Sequence, residues 1–173
     1  TIVECNTAYP GERNTTDAHR RTMIKHGWSK LFNVDILDAE GPDLELPIPN
    51  GKRIQKNLVG KDIKNYDSML VLSHFKGHPM GGFGGALKQL SIGCASSAGK
   101  ANIHGAGKPE EMWTTEQNAF LESMADAAES VVKLFDGKIV YINVMKNMSV
   151  DCDCCAVAED PCMKDIGILA SLD

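Results

Sequence analysis

Long apolar runs are missing from this 173-residue chain: none approaches the ~18 residues that a membrane-spanning helix requires. A basic excess is missing too. Eighteen Lys and Arg stand against 23 Asp and Glu, and the net charge of −5 argues against a general nucleic-acid binder. The N-terminus carries no initiator methionine, no charged n-region and no apolar h-region, so no signal peptide is visible. Both ends run into strand-like stretches, residues 1–5 and 165–173, which reads as a fragment of a larger chain. The six cysteines are not spread as in a secreted disulfide scaffold, because four crowd together as Cys152, Cys154, Cys155 and Cys162. Reduced thiols in a cytoplasmic protein are the expectation.

What is present suffices for one domain spanning residues 1–173. Hydrophobic residues make up 43% of the chain, enough for a sizeable core. Strand-like and helix-like stretches alternate. Asn14-Thr15-Thr16-Asp17 offers capping side chains for a helix reaching about Trp28 and stopped near Gly27. Residues 34–38 read as a strand, and residues 41–51, with three prolines, as loop or sheet edge. Residues 53–59 form a plausible short strand. The apolar run Met69-Leu70-Val71-Leu72 within residues 68–73 predicts a strand buried inside a parallel sheet. A short helix is expected over residues 84–90. A longer one is expected over residues 115–135, where Phe120, Met124, Ala127, Ala128, Val131 and Phe135 recur at three- and four-residue intervals. Residues 138–144 return as a strand. The pattern defines an α/β fold with a mixed or mostly parallel sheet flanked by helices.

The chemistry concentrates where the apolar strand ends, the place at which open α/β sheets bind ligands. There the chain reads His74-Phe75-Lys76-Gly77-His78-Pro79-Met80-Gly81-Gly82-Phe83-Gly84-Gly85-Ala86-Leu87-Lys88, and three of the five histidines fall between His74 and His104. Gly81, Gly82, Gly84 and Gly85 let a backbone approach a cofactor closely. Residues 93–100 mimic a P-loop but are one residue too long, and Ala101 replaces the required Ser or Thr. An anion nest at Ser96-Ser97-Ala98-Gly99 with Lys100 is the remaining reading of that stretch. His74, His78 and His104 suit acid–base or ligand roles near neutral pH, yet each could equally bond loop carbonyls or lie on the surface. His19 and His26, on or near the first helix, read as structural.

Cys152-Asp153-Cys154-Cys155 offers closely spaced thiols for zinc or an iron–sulfur centre. The spacing fits neither a zinc ribbon nor a ferredoxin run. Reduced thiols packed under a loop are the alternative.

Across nearly its whole length the sequence resembles the iron–sulfur-associated bacterial and archaeal family known as domain of unknown function 362. The resemblance rests on Asn6-Thr7-Ala8-Tyr9-Pro10-Gly11-Glu12-Arg13, on residues 74–88 and 93–104, on Tyr141-Ile142-Asn143, on Cys152-Asp153-Cys154 and on residues 165–171. Many relatives carry a ferredoxin-like cysteine insert just after the position of His104, whereas residues 105–113 contain no cysteine. The family also extends beyond both ends of this chain. A more distant similarity is to the nickel-dependent lactate racemases, through Gly84-Gly85-Ala86-Leu87-Lys88, Gly93, Ser96 and His104. It implies Lys88 as the tether of a nickel pincer cofactor, His104 as a nickel ligand and His78 as a proton shuttle. The second, earlier histidine of that family has no counterpart here, so the similarity implies a pocket rather than racemisation.

The expectation is therefore a metal- or cofactor-dependent enzyme domain. His78, Lys88 and His74 are its catalytic candidates. Gly81, Gly82, Gly84, Gly85, Ser96 and Lys100 are its cofactor contacts. His104, Cys152, Cys154 and Cys155 are its metal ligands, with nickel, zinc or an iron–sulfur centre as candidate groups. Its partner would be a small-molecule substrate or a redox protein, not nucleic acid or membrane, and self-association into a homo-oligomer stays open. The competing reading is a non-catalytic redox or metal-binding module built on Cys152 to Cys155.

Overall fold

The computed structural model describes residues 1–152 and 160–172. Among these the order is β1 (Ile2–Glu4), α1 (Thr16–Lys25), β2 (Val34–Ile36), β3 (Leu44–Pro47), β4 (Lys56–Val59), β5 (Met69–His74), β6 (Lys76–His78), β7 (Gly82–Gly84), α2 (Ala86–Cys94), α3 (Ser97–His104), α4 (Gln117–Phe135), β8 (Ile139–Met145) and β9 (Gly167–Leu172). The architecture is α/β with mixed pairing. β1 and β2 pair in parallel, joined through α1, and β5 pairs in parallel with β8 across the three later helices. β3–β4, β6–β7 and β8–β9 are antiparallel. No helix among the described residues is long and apolar enough to cross a membrane.

Local chemistry sets the helix ends. Thr15 Oγ1 accepts the Ala18 N–H to start α1, and Gly27 adopts φ +81° just past its last turn. Glu116 accepts the N–H groups of Asn118 and Ala119 to start α4, which stops where Asp136 and Gly137 turn left-handed. All six residues of the expected α4 stripe are buried. They join two clusters. Val131 and Phe135 pack with Val71, Leu90 and Ile139 under the three-stranded sheet, while Phe120, Met124 and Ala127 pack with Ile48, Ile54 and Ile103 beneath α3.

Two expectations require correction. The strand expected over residues 68–73 forms as β5, but it is an edge of the β5–β8–β9 sheet rather than an interior strand. Val71 and Ser73 face the helices, whereas Leu70 and Leu72 are each 57% exposed, because α2 and α4 cover one face alone. The short helix expected over residues 84–90 begins later, at Ala86, since Gly82–Gly84 is taken up in a hairpin with Lys76–His78. α3, unforeseen as a helix, is capped by Ser96, whose Oγ accepts the Gly99 N–H.

Gly99 explains how α3 sits so close to the sheet. A Cβ at this position would overlap the Leu58 carbonyl oxygen of β4 and press on Ala95, so only glycine allows the approach. Gly99→Ala is expected to lower unfolding stability by about 1–3 kcal/mol, the usual range for overpacking. Urea denaturation measures it, and an unchanged midpoint and slope would contradict this close packing.

Candidate functional site

A cavity of about 340 Å³ opens at the C-terminal ends of β1 and β5. Its wall gathers His74, His78, Gly84, Gly85, Lys88, Lys100, His104 and Cys152 from the sequence-based candidates. The β6–β7 hairpin delivers His78, the first turn of α2 delivers Lys88, and the last turn of α3 delivers His104.

Both imidazoles lie against one fully buried ring. His78 stacks on Phe120 with centroids 6.1 Å apart and His104 with centroids 4.9 Å apart. Backbone groups fix their tautomers. The Gly81 N–H donates to His78 Nδ1 at 2.9 Å, so this nitrogen is an acceptor and the neutral ring carries its proton on Nε2. His104 Nδ1 lies 2.7 Å from the Lys100 carbonyl, which can only accept, so this ring carries its proton on Nδ1 and leaves Nε2 as a lone pair. The pair thus offers one N–H donor and one nitrogen acceptor. Burial, then the positive charge of Lys88, pulls His78 down to about 4, and burial also lowers His104. Both rings are neutral at neutral pH.

The remaining candidates separate. Lys88 Nζ reaches the Cys152 thiol at 3.5 Å. His74 also lines the cavity, with Nε2 donating to the Lys146 carbonyl at 2.6 Å. Lys100 is buried and gives its protons to the carbonyls of Ala95 (2.6 Å) and Cys5 (3.4 Å); burial lowers its pKa. It braces the cavity floor. Gly81 and Gly82 are not part of the wall: Gly81 orients His78, and Gly82 turns the hairpin at φ +74°. Ser96 is not part of it either, because its hydroxyl caps α3 and donates to Asp43 at 2.6 Å. The expected anion nest is occupied from within, since the Ser97 N–H donates to Asp38 at 2.9 Å. A more open groove of about 440 Å³ borders it, lined by Asp38 and Asp43. Both of those carboxylates are already engaged with α3, which makes the groove a poor candidate for chemistry.

Sequence reasoning missed several wall residues. Glu4 and Arg13 flank the β1 end, and burial raises the Glu4 pKa against the lowering pull of Arg13 and Lys100. Tyr9 and Trp113 meet at the rim with ring centroids 6.3 Å apart. Tyr9 and Arg13 fall inside the motif of residues 6–13, a signal that had carried resemblance but no role. Trp113 had no signal at all.

The described donors do not make up an iron–sulfur ligand set. Cys5 and Cys94 are buried, and desolvation pushes both thiols far toward the protonated form, Cys94 to about 12. Cys162 is exposed and donates to the Met148 carbonyl, and Cys154 and Cys155 lie outside the described residues. No group of three or more His, Cys, Asp or Glu among the described residues is arranged to hold a metal ion.

An α/β chain with a histidine- and lysine-lined cavity at its strand ends is the class these features define. The chain belongs to the family described as Domain of unknown function (DUF362), whose profile matches residues 1–173. No curated protein and no solved structure matches it.

The depressed histidines make stability depend on pH. His19, wholly buried, is also lowered to about 4, chiefly by burial. A group near 6.5 unfolded and near 4 folded binds more protons unfolded, so stability is full above about 6.5 and falls as pH drops toward 4. Between pH 7 and pH 5, His78 and His19 should each contribute a loss on the order of 1–2 kcal/mol. His78→Gln should remove its share of that loss in urea titrations at the two pH values. A loss of the same size in the variant would contradict the buried neutral assignment.

Proposed function

We propose that this chain is an enzyme domain whose cavity transfers a proton on a small carboxylate-bearing molecule. The observation that carries the reading is the opposed pair of tautomers that backbone groups impose on His78 and His104 beside the Lys88 ammonium. His104 Nε2 is the base: its lone pair takes a proton from the carbon or hydroxyl next to the carboxylate. His78 Nε2–H is the donor, bonding to the oxygen on which negative charge develops, as a neutral imidazole does when its pKa is held low. Lys88 pairs with the carboxylate, helped by the N-terminus of α2, whose first turn begins at Gly85 on the same wall. The assignment departs from the sequence expectation, in which His78 was the acid–base group, His74 a further catalytic candidate and His104 a metal ligand.

A cofactor that brings its own metal fits the same groups more readily than a thiolate cluster does. His104 Nε2 and the Lys88 amine are the contacts it would use, and it would supply an electrophilic centre in the cavity. With such a group bound, Phe120 and the two backbone bonds would still hold the imidazoles, His104 Nε2 and Lys88 would be taken up by the cofactor, and the proton-transfer work would fall to His78. A cytoplasmic setting accords with the free thiols at Cys5 and Cys94, and a small molecule as partner accords with the size of the cavity. The competing module reading draws on Cys152, which lines this cavity, while its other thiols lie outside the described residues.

The test is hydrogen–deuterium exchange of small 2-hydroxy and 2-amino acids in heavy water, followed by proton NMR. Wild type should wash out the hydrogen next to the carboxylate of at least one of them. His104→Gln and His78→Gln should slow that exchange ~10²- to 10⁴-fold, and Lys88→Met should weaken substrate binding. Exchange that survives His104→Gln at the wild-type rate would overturn the assignment of the base.

A further inference from the structure

The cavity wall carries aromatic and apolar side chains as well as cations, and the proposed reaction makes no use of the aromatic ones. Lys88 and Arg13 lie on the wall with the α2 N-terminus. The same lining also contains Tyr9, Met80, Ile92, Met112 and Trp113. Tyr9 and Trp113 come from two segments far apart in sequence, the loop after β1 and the turn after α3. They meet with ring centroids 6.3 Å apart and planes inclined by 57°, the tilted arrangement aromatic pairs favour. Trp113 is nevertheless 66% exposed, so the largest apolar side chain on this wall keeps most of its surface in water. Single exposed apolar residues are ordinary, but here the indole borders a cavity whose lining also includes two methionines and an isoleucine. A cavity of about 340 Å³ is also far larger than a two- or three-carbon acid would fill.

From this juxtaposition we infer that the cavity takes a carboxylate bearing an aryl group, with the carboxylate at Lys88 and the ring against Trp113. The inference rests on the proposed proton-transfer site for its carboxylate end and adds the identity of the other end. An aryl ring entering beside Tyr9 and Trp113 gains stacking geometry as well as buried area. A methyl group in its place gains little of either.

The chain contains two tryptophans, and Trp28 packs against Phe32 away from the cavity wall, so Trp28→Phe leaves Trp113 as the single tryptophan, excited selectively over the tyrosines at the red edge of the absorption band. In that background, 3-phenylpropanoate and 3-phenyllactate are titrated against propanoate and lactate. The aryl acids should quench or shift Trp113 emission saturably, with Kd at least about tenfold below that of their methyl counterparts. By calorimetry on otherwise wild-type protein, Trp113→Ala should erase the preference while leaving the binding of lactate unchanged, and Lys88→Met should weaken both classes of acid. Equal Kd for aryl and methyl acids, or a preference that survives Trp113→Ala, would overturn the aryl assignment and leave the proton-transfer reading standing. Equal binding of 3-phenylpropanol and 3-phenylpropanoate would overturn the carboxylate end of both. Failure of all four acids to bind would overturn both together.

Discussion

The phenyl ring of Phe120, at 0% exposure, carries the two imidazoles that give the cavity its character. A neutral histidine against a buried aromatic face loses the solvation that would favour its charged form, and the charge of Lys88 nearby adds to that penalty. Burial, to which the Phe120 face contributes, therefore keeps both groups in the neutral form. The two backbone bonds, from Gly81 and to Lys100, then decide which nitrogen of each ring holds the proton. Position comes from α4, which contributes Phe120, and from the hairpin and α3, both earlier in sequence, which bring the rings to it.

Close backbone approach makes this convergence feasible. α3 can deliver His104 because Gly99 lets it rest on β4, and the hairpin can deliver His78 because Gly77 meets the 149–150 backbone, with its N–H donating to Ser149 at 2.8 Å. At Gly85 a Cβ would come within 3.0 Å of Asn143 Oδ1, whose oxygen also accepts the Ala86 N–H and so fixes the start of α2. The glycines of the motif thus serve packing more than ligand contact. Gly84 and Gly85 alone of the four expected cofactor glycines reach the cavity wall.

How much the sequence revealed follows from where its signals were strong. α4 has six apolar residues at helical spacing and a charged opposite face, and its boundaries came within two residues. α3 has no such period, because its buried positions are Gly99, Lys100 and Ile103, two of which do not read as apolar. The hairpin lacks β-branched residues and is held by contacts with the chain some 70 positions away, invisible to local propensity. The run in β5 looked buried on both faces, and hydrophobicity alone does not report that only one face is covered. His78, Lys88 and His104 were legible as chemistry-bearing residues on a glycine-rich segment. Their tautomers, and the parts played by Glu4, Arg13, Tyr9 and Trp113, exist only in the folded arrangement.

The proposed chemistry depends on two cavity histidines that are neutral and protonated on opposite nitrogens. Long-range nitrogen–proton correlation spectra of imidazole-labelled protein at pH 7 read both properties directly, with His78→Gln and His104→Gln supplying the assignments. His78 is expected as the Nε2–H form, unprotonated at Nδ1 down to well below pH 6, and His104 as the Nδ1–H form. Two rings in the same tautomer, or His78 carrying both protons at pH 6, would contradict this assignment.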